Sequence, residues 1–414
     1  MDVPEFVPDL AASLDEHLRA ADEQLAADYP GEPTGRGPVH TVYVPGDLFT
    51  GHTVAQWGGQ ALDLLDRFAP DAATLAAAVG VDVAEVEPIY QRLRAKLTAQ
   101  PIEDLRVDFE DGYGRRDDAI EDDHLAAAVD GLRDILDADN RPTWWGIRFK
   151  CFEAPTRARG VRTLGMFVGA MADRAHDGLT LTLPKVTSVE QVEAMRIACE
   201  TIEEAGGLDR GTVTFEIQVE TAQAIMAASG VAPLAPMIRA GKGRVSSLHY
   251  GTFDYSAGLG IAAAYQALDH PVADHAKNVM QVSAAQTGVR MSDGSTNVIA
   301  FGDAEQAHAT WKLHYGLVER SLVRGIYQGW DMHPGHLPTR YLANYLFFRR
   351  AMPDACKRLA AYLSKTGGDL MDEPATARML AMALLRGVHC GAIDETEVLD
   401  TSGLSLDQLT ELTR

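Results

Sequence analysis

Apolar and polar positions along the chain follow two periods, and the switches between them divide it into a regular series of elements. Over residues 5–29, Leu10, Leu14, Leu18 and Leu25 recur at helical spacing until a Gly- and Pro-rich stretch begins at Pro30, which predicts an N-terminal helix laid over the rest of the chain. HTVYV at 40–44 is the first strand-like run and ends at Pro45-Gly46. Residues 54–100 return to the helical period, with breaks at Ala69-Pro70-Asp71 and near Gly80-Val81-Asp82, so two or three helices are expected there. Seven further strand-like runs follow, at 105–109, 144–150, 179–183, 213–219, 246–250, 289–291 and 326–332. Helical patterns fill the gaps: 117–138, 160–175, 188–205 behind a capping Ser188, a helix running to about Ala228, 273–287 and 304–323. Past Leu337 the pattern is helical at 338–364, 373–388 and 404–413, divided by Lys365-Thr366-Gly367-Gly368 and by Gly391.

Eight strand-and-helix units without a GxGxxG crossover predict a closed (β/α)8 barrel, the TIM barrel, in preference to a doubly wound sheet. The expected α/β organisation is a helical cover over 1–39, a barrel over 40–337 with a helical insertion at about 65–100 after the first strand, and a C-terminal helical extension over 338–414. That extension would either cover the barrel or dock on a partner subunit.

Composition narrows the function more than the fold. A chain of 414 residues that is 46% hydrophobic can bury a large core. Its net charge of -22 repels phosphate backbones and anionic bilayers, and no basic run offsets it, so neither nucleic acid nor membrane is an expected partner. The opening MDVPEFVPDLAASLDEHLRA lacks the basic-then-apolar order of a signal peptide, and no apolar window is long enough to span a bilayer. Cys151, Cys199, Cys356 and Cys390 form no CxxC pair, which fits reduced thiols and a cytoplasmic setting.

Barrel strands deliver their last residues to one rim, where active sites are built. Read at that position, successive exits supply Glu110 and Asp111, Arg148, Lys185, Glu220, Asp254, Asp293 and His333. Turns favour polar residues for solvation and capping alone, so the joint pattern is the signal. Glu220 and Asp254 leave neighbouring strands and together offer hard oxygen ligands to one divalent cation. Arg148 suits a carboxylate or an enolate oxygen, although a structural ion pair within the barrel would explain it too. Glu110 and Asp111 either serve the site or cap the following helix, and Lys185 is either a rim cation or a surface lysine. Asp293 and His333 are candidates for substrate contact or general base; the HxxH spacing of His333 and His336 is too sparse to name a metal site. Glu216, Gln218 and Glu220 share one face by period-two alternation, so some of them belong to a polar barrel interior.

Seven segments in order, VYVPG (42–46), RVDFEDGYG (106–114), GIRFK (146–150), LPKVTS (183–188), QVETAQAI (218–225), HYGTFDYSAGLG (249–260) and DMHPGHL (331–337), resemble the landmarks of the citrate lyase beta subunit and HpcH/HpaI aldolase family. The resemblance implies a TIM barrel of the phosphoenolpyruvate/pyruvate type that makes or breaks carbon–carbon bonds beside a carboxylate, using Mg2+ or Mn2+, in a trimer or hexamer. By position, Glu220 and Asp254 resemble the metal pair, Arg148 the arginine that holds the substrate carboxylate and the enolate, Glu110 and Asp111 the acidic pair, and His333 the histidine-proline turn. The chain departs from the family after VYVPG, where the usual early basic residue is absent, and in GYGRRDDAIEDD, which stands in place of a lysine-and-arginine helix; both are cationic partners that the phosphates of coenzyme A need, so it resembles a divergent branch. The expected function is a Mg2+-dependent carbon–carbon lyase acting on a small 2-oxo or hydroxy carboxylic acid or its thioester. Malate-synthase-like condensation, hydrolysis of an acyl-CoA thioester, and a catalytically silent barrel serving as an assembly module remain open alternatives.

Overall fold

The structure, a computed structural model, describes residues 3–33, 35–364 and 373–413. Eight parallel strands form the sheet: β1 (His40–Pro45), β2 (Asp104–Asp108), β3 (Trp144–Arg148), β4 (Thr180–Leu183), β5 (Thr214–Val219), β6 (Val245–Tyr250), β7 (Arg290–Ser292) and β8 (Gly329–Asp331). Their order is β7-β6-β5-β4-β3-β2-β1-β8. The two end strands meet through a parallel bridge between Ser292 and Gln328, where Asp293 donates its amide to the Gln328 carbonyl at 2.8 Å. The sheet therefore closes as the expected (β/α)8 TIM barrel.

Strand alternation explains why the barrel closes around polar groups. Val42, Val44, Leu105, Val107, Ile147, Leu181, Phe215, Ile217 and Leu248 are buried in the hydrophobic core shared with the helices. The residues between them reach across the lumen. Tyr43 on β1 donates to Glu216 on β5 at 2.8 Å, and Arg106 on β2 pairs with the same carboxylate at 2.8 Å. Such bonds link strands on opposite sides of the sheet order, so these side chains fill the interior. Arg106 also pairs with Asp104, and His249 Nε2 stands 3.1 Å from Glu216. A charged interior of this kind survives burial only because each ion has a partner.

The helices are α1 (Phe6–Asp28), α2 (Thr53–Phe68), α3 (Ala72–Val79), α4 (Val83–Val86), α5 (Tyr90–Ala99), α6 (Asp118–Leu136), α7 (Arg157–Met171), α8 (Val189–Gly206), α9 (Ala222–Ile225), α10 (Leu234–Ala240), α11 (Thr252–Gly258), α12 (Pro271–Ala284), α13 (Ala304–Val323), α14 (Leu337–Ser364), α15 (Pro374–His389), α16 (Glu395–Ser402) and α17 (Leu406–Leu412). The breaks read between 54 and 100 are real: Asp71 caps α3 by accepting from the Thr74 amide, Gly80 ends it at φ 81°, and Asp82 caps α4. They yield four helices where two or three are expected. After β5 the expected helix shrinks to the single turn of α9, and α10 follows as a separate element. Ser188 stands at the N-cap of α8 without a side-chain cap hydrogen bond.

The two ends of the chain differ. α1 forms, but none of its residues is buried. The C-terminal helices do pack on the barrel layer, α14 against α13, α5 and α2, with α15 and α16 behind it. The Lys365 to Gly368 break lies outside the described residues. All four cysteines are free and buried. Among the described residues no helix is long and apolar enough to cross a membrane.

Candidate active site

Four strand exits converge on one cluster of acids. Glu220 follows β5 directly and is buried, Asp254 lies in the first turn of α11 after β6, and Asp111 follows β2. Each offers a carboxylate oxygen, and the three oxygens lie within 4.8 Å of one another. Lys185, after β4, reaches into the same space: its ammonium pairs with Asp254 and, at 2.9 Å, with Asp111. Its amide donates to Glu220 Oε1 at 2.8 Å, which requires the left-handed backbone of Lys185, φ 52°. A non-glycine residue in that region is strained, and strain of this kind gathers at functional sites.

The close approach of β5 and β6 leaves no room for error around Glu220. A Cβ placed on Gly251 would meet Glu220 Cβ at 2.4 Å and Oε2 at 2.8 Å, so glycine is what lets the acid stand there. Burial pushes the Glu220 carboxyl up to about 7 despite the cations of Lys185 and Arg148, with Asp254 and Asp111 adding to the rise. Burial likewise lifts Glu110 to about 8, reinforced by its hydrogen bond with Asp111. Asp111 moves the other way: burial opposes its charge, but the Glu110 hydrogen bond and the Arg148 and Lys185 cations hold it at about 2. The acids crowd together in part because Lys185 holds its charge, its pKa raised against burial by Glu220, Asp254 and Glu110.

Arg148 stands beside this cluster, fully buried, and its fork is already engaged. Nε and Nη2 donate to the two oxygens of Asp108 at 2.7 and 2.6 Å, and Nη1 donates to Gln218 at 3.1 Å. Tyr43 and Trp330 flank the guanidinium, their ring centroids 5.0 and 5.4 Å from Cζ. Asp108 also accepts from the amides of Glu110 and Gly112, both at 2.9 Å, and so shapes the turn that presents Glu110 and Asp111. The bidentate geometry fixes Arg148 in orientation, so the plane of its charge is set before any ligand arrives.

The sequence-predicted residues thus divide. Glu220, Asp254, Asp111 and Lys185 are brought together; Glu110 adjoins them, its Oε2 buried without a hydrogen-bond partner and 3.8 Å from Lys185 Nζ. Neither Glu110 nor Asp111 caps a helix, since α6 begins at Asp118 behind Asp117. Asp293 is engaged elsewhere, accepting from Lys277 at 3.0 Å and from Ser321 at 2.5 Å. His333 accepts from the Gly335 amide at 3.0 Å and stacks on Phe301, and burial lowers its pKa to about 4. Asp293 and His333 are not among the clustered acids. Glu216 serves the interior and Gln218 serves Arg148, as the shared strand face implied.

Asp108 is the residue that sequence reasoning missed. It sits in an apolar stretch, VDF, but Asp104, Arg106 and Asp108 fall at alternate positions of one strand, and three charges on one strand face could have marked it. A second acid-and-histidine group, His314, Asp331 and His336, also has clustered ligand atoms. There most donors are engaged: Asp331 accepts from Arg340, His40 and His314, and His336 Nε2 bonds the Val298 carbonyl, which leaves His336 Nδ1 without a partner.

The donor set at Asp111, Glu220 and Asp254 is all hard oxygen, clustered, with an orphan carboxylate oxygen of Glu110 alongside, and it fits a Mg2+- or Mn2+-sized ion. Solved structures resemble the fold. Haloferax volcanii malate synthase in its magnesium/glyoxylate complex aligns at a TM-score of 0.51 and 13% identity, covering 91% of this chain and 97% of that one. CitE from Mycobacterium tuberculosis, in complex with magnesium, acetoacetate and coenzyme A, aligns at a TM-score of 0.46 and 18% identity, covering 86% and 99%. At 13% identity the likeness to the malate synthase is one of fold. The comparison with curated proteins found no match. The model of a domain of unknown function, DUF6986, matches residues 18–414, and the chain belongs to that family.

Proposed function

We propose that the protein is a divalent-metal-dependent enzyme that cleaves a carbon–carbon bond in a small 2-oxo or hydroxy carboxylic acid, or its thioester, by way of an enolate. The observation that carries this reading is the joint placement of three carboxylates and a pre-oriented buried arginine at one rim of the barrel. The order of landmarks shared with the citrate lyase beta subunit and HpcH/HpaI aldolase family agrees with it, as does a likeness of fold to a malate synthase crystallised with magnesium and glyoxylate.

Asp111, Glu220 and Asp254 would hold Mg2+ or Mn2+. When bound, such an ion supplies Lewis acidity toward the carboxylate and carbonyl oxygens of the substrate. Arg148, fixed by Asp108 and Gln218, presents charge to the enolate oxygen without reorganising, which is the electrostatic contribution that matters most in such sites. Glu110, held near 8 by burial, retains its proton at neutral pH and has a free oxygen, so it is the group of this cluster suited to deliver or accept a proton. Lys185 neutralises the acids and must yield part of that role when another cation enters.

Condensation in the manner of malate synthase runs through the same enolate in the opposite direction, and the same residues would serve it. The test is release of pyruvate, oxaloacetate or glyoxylate from a panel of hydroxy-oxo acids and acyl-CoA thioesters with Mg2+ or Mn2+, alongside the reverse assay. Glu220→Gln should lower metal-dependent turnover by roughly a hundredfold or more, as loss of a charged ligand does, with the melting temperature kept. Full activity in that variant would remove the metal reading.

A further inference from the structure

At the opposite end of the barrel from the acids lies a cavity of 370 Å3. It is bounded by the segment ahead of β1, by the starts of β7 and β8, and by α14 and α15. Arg290, the first residue of β7, and Arg386, on α15, both line it. Among the described residues neither guanidinium forms an ion pair, in a chain carrying 59 acidic residues against 37 basic ones. Arg290 Nη2 donates to the carbonyls of Gly35 and Arg36, each at 3.2 Å, and Arg386 lies over the Tyr327 ring at 4.0 Å. Carbonyls and a ring leave the charge unneutralised, and burial pushes both pKa values down, Arg290 further so because Arg386 is near. Glu32, on the same wall, accepts from the Gln286 amide at 2.9 Å and forms an ion pair with neither, although its charge partly offsets the effect of burial on Arg386.

A second observation concerns Asn344 on α14, which is fully buried and also lines the cavity. Its amide nitrogen donates to the Arg340 carbonyl at 2.9 Å, while its Oδ1 has no partner. Buried amide oxygens are almost always bonded, so this orphan is an unsatisfied polar group beside the cavity. Val289, Met291, Phe348, Met382 and Leu385 give the remaining walls an apolar surface, interrupted by Gln281, Gln328 and His389. The volume falls within the range of small-molecule sites, roughly 300–1,000 Å3.

We propose that this cavity is a second ligand site, which takes a small molecule with a carboxylate or phosphate head and an apolar body. The head meets Arg290 and Arg386, whose forked donors suit both oxyanions. The body lies against the apolar side chains of the walls. No lining residue belongs to the acid cluster, so the site stands whatever reaction the rim performs.

Calorimetry on the full chain tests it with three probes: inorganic phosphate, hexyl phosphate and 2-hydroxyhexanoate. The expected result is saturable binding of at least one amphipathic probe, one per chain, with preference between the last two naming the head. Arg386→Gln should weaken it about tenfold or more, the loss of a charge-assisted contact. Met382→Trp keeps both guanidinium groups but fills the cavity, and should abolish binding, so it decides the matter if Arg386→Gln melts early. Asp254→Asn should leave the affinity unchanged. No saturable binding to the wild-type protein up to ~10 mM, equal binding in both cavity variants, or loss of binding in Asp254→Asn would overturn the proposal.

Discussion

A buried carboxylate ringed by other acids keeps its proton longer than one in water, and Glu220 is held at about 7 for that reason. A metal ion needs the ionised form, so binding must expel the proton that Glu220 carries below this value. Affinity for Mg2+ should therefore rise with pH up to about 7, by about tenfold per pH unit below it, and level off above. Titration calorimetry at several pH values, in buffers of different ionisation enthalpy, reads both the slope and the released proton; Glu220→Gln should flatten the slope. Lys185 predicts a different sign. Its ammonium contacts Asp254 and Asp111, two of the three acids, and a divalent ion must compete with it there. Lys185→Ala should bind Mg2+ more tightly, roughly tenfold by the Coulomb energy of a like charge removed at short range, and a weaker affinity would mean that the lysine helps to assemble the site. Both residues could be read from the sequence as strand-exit groups. The partner that orients Arg148 was legible only as one of three alternating charges on β2, Asp104, Arg106 and Asp108; the sequence does not say which acid the guanidinium meets.

At the scale of elements, what was readable is what is periodic. The strands β1 to β6 stood out because apolar positions facing the helices alternate with polar ones facing the lumen, and the helix breaks near residues 70 and 80 carried their own capping acids. The short elements were harder: β7 and β8 have three residues each, and α9 has four, too few to establish a period against their neighbours. The turn from β6 into α11 shows how an element sets the site. Gly251 is extended, φ -99° and ψ 96°, a conformation any residue can adopt, so its side of the argument is purely steric. Gly251→Ala should push Glu220 away from Asp254 and cost about 1–3 kcal/mol of stability, the usual penalty of overpacking. Metal affinity should fall with it, whereas an alanine at Gly165, where nothing lies within 4 Å of an added Cβ, should leave metal affinity unchanged. Melting curves with and without Mg2+ separate the two effects.

The whole molecule depends on how the closing strand is tied to the helices that follow it. Asp331 ends β8 and points away from the lumen, into the layer where α13, α14 and the start of β1 meet. Its carboxylate accepts from Arg340 on α14 at 2.9 Å, from His314 on α13 at 3.1 Å and from His40 on β1 at 2.7 Å, and it is fully buried. Burial opposes its charge, but Arg340, His314 and His40 together hold its pKa well below the ordinary carboxylate value. The sign follows: because the folded state binds this proton more weakly than the unfolded chain, the stabilisation is present above the unfolded pKa and is lost as pH falls through the folded one. Asp331→Asn removes the charge but leaves Arg340 buried without its partner, and breaking such a pair costs about 3–5 kcal/mol. That is a large part of the stability of any domain, about 5–15 kcal/mol. The variant should melt far below the parent at neutral pH, and the gap should narrow in strong acid as the parent loses the same interaction. If the wild type and Asp331→Asn melt together at neutral pH, the C-terminal helices are held by their apolar contacts alone, and Asp331 is not the joint between barrel and extension.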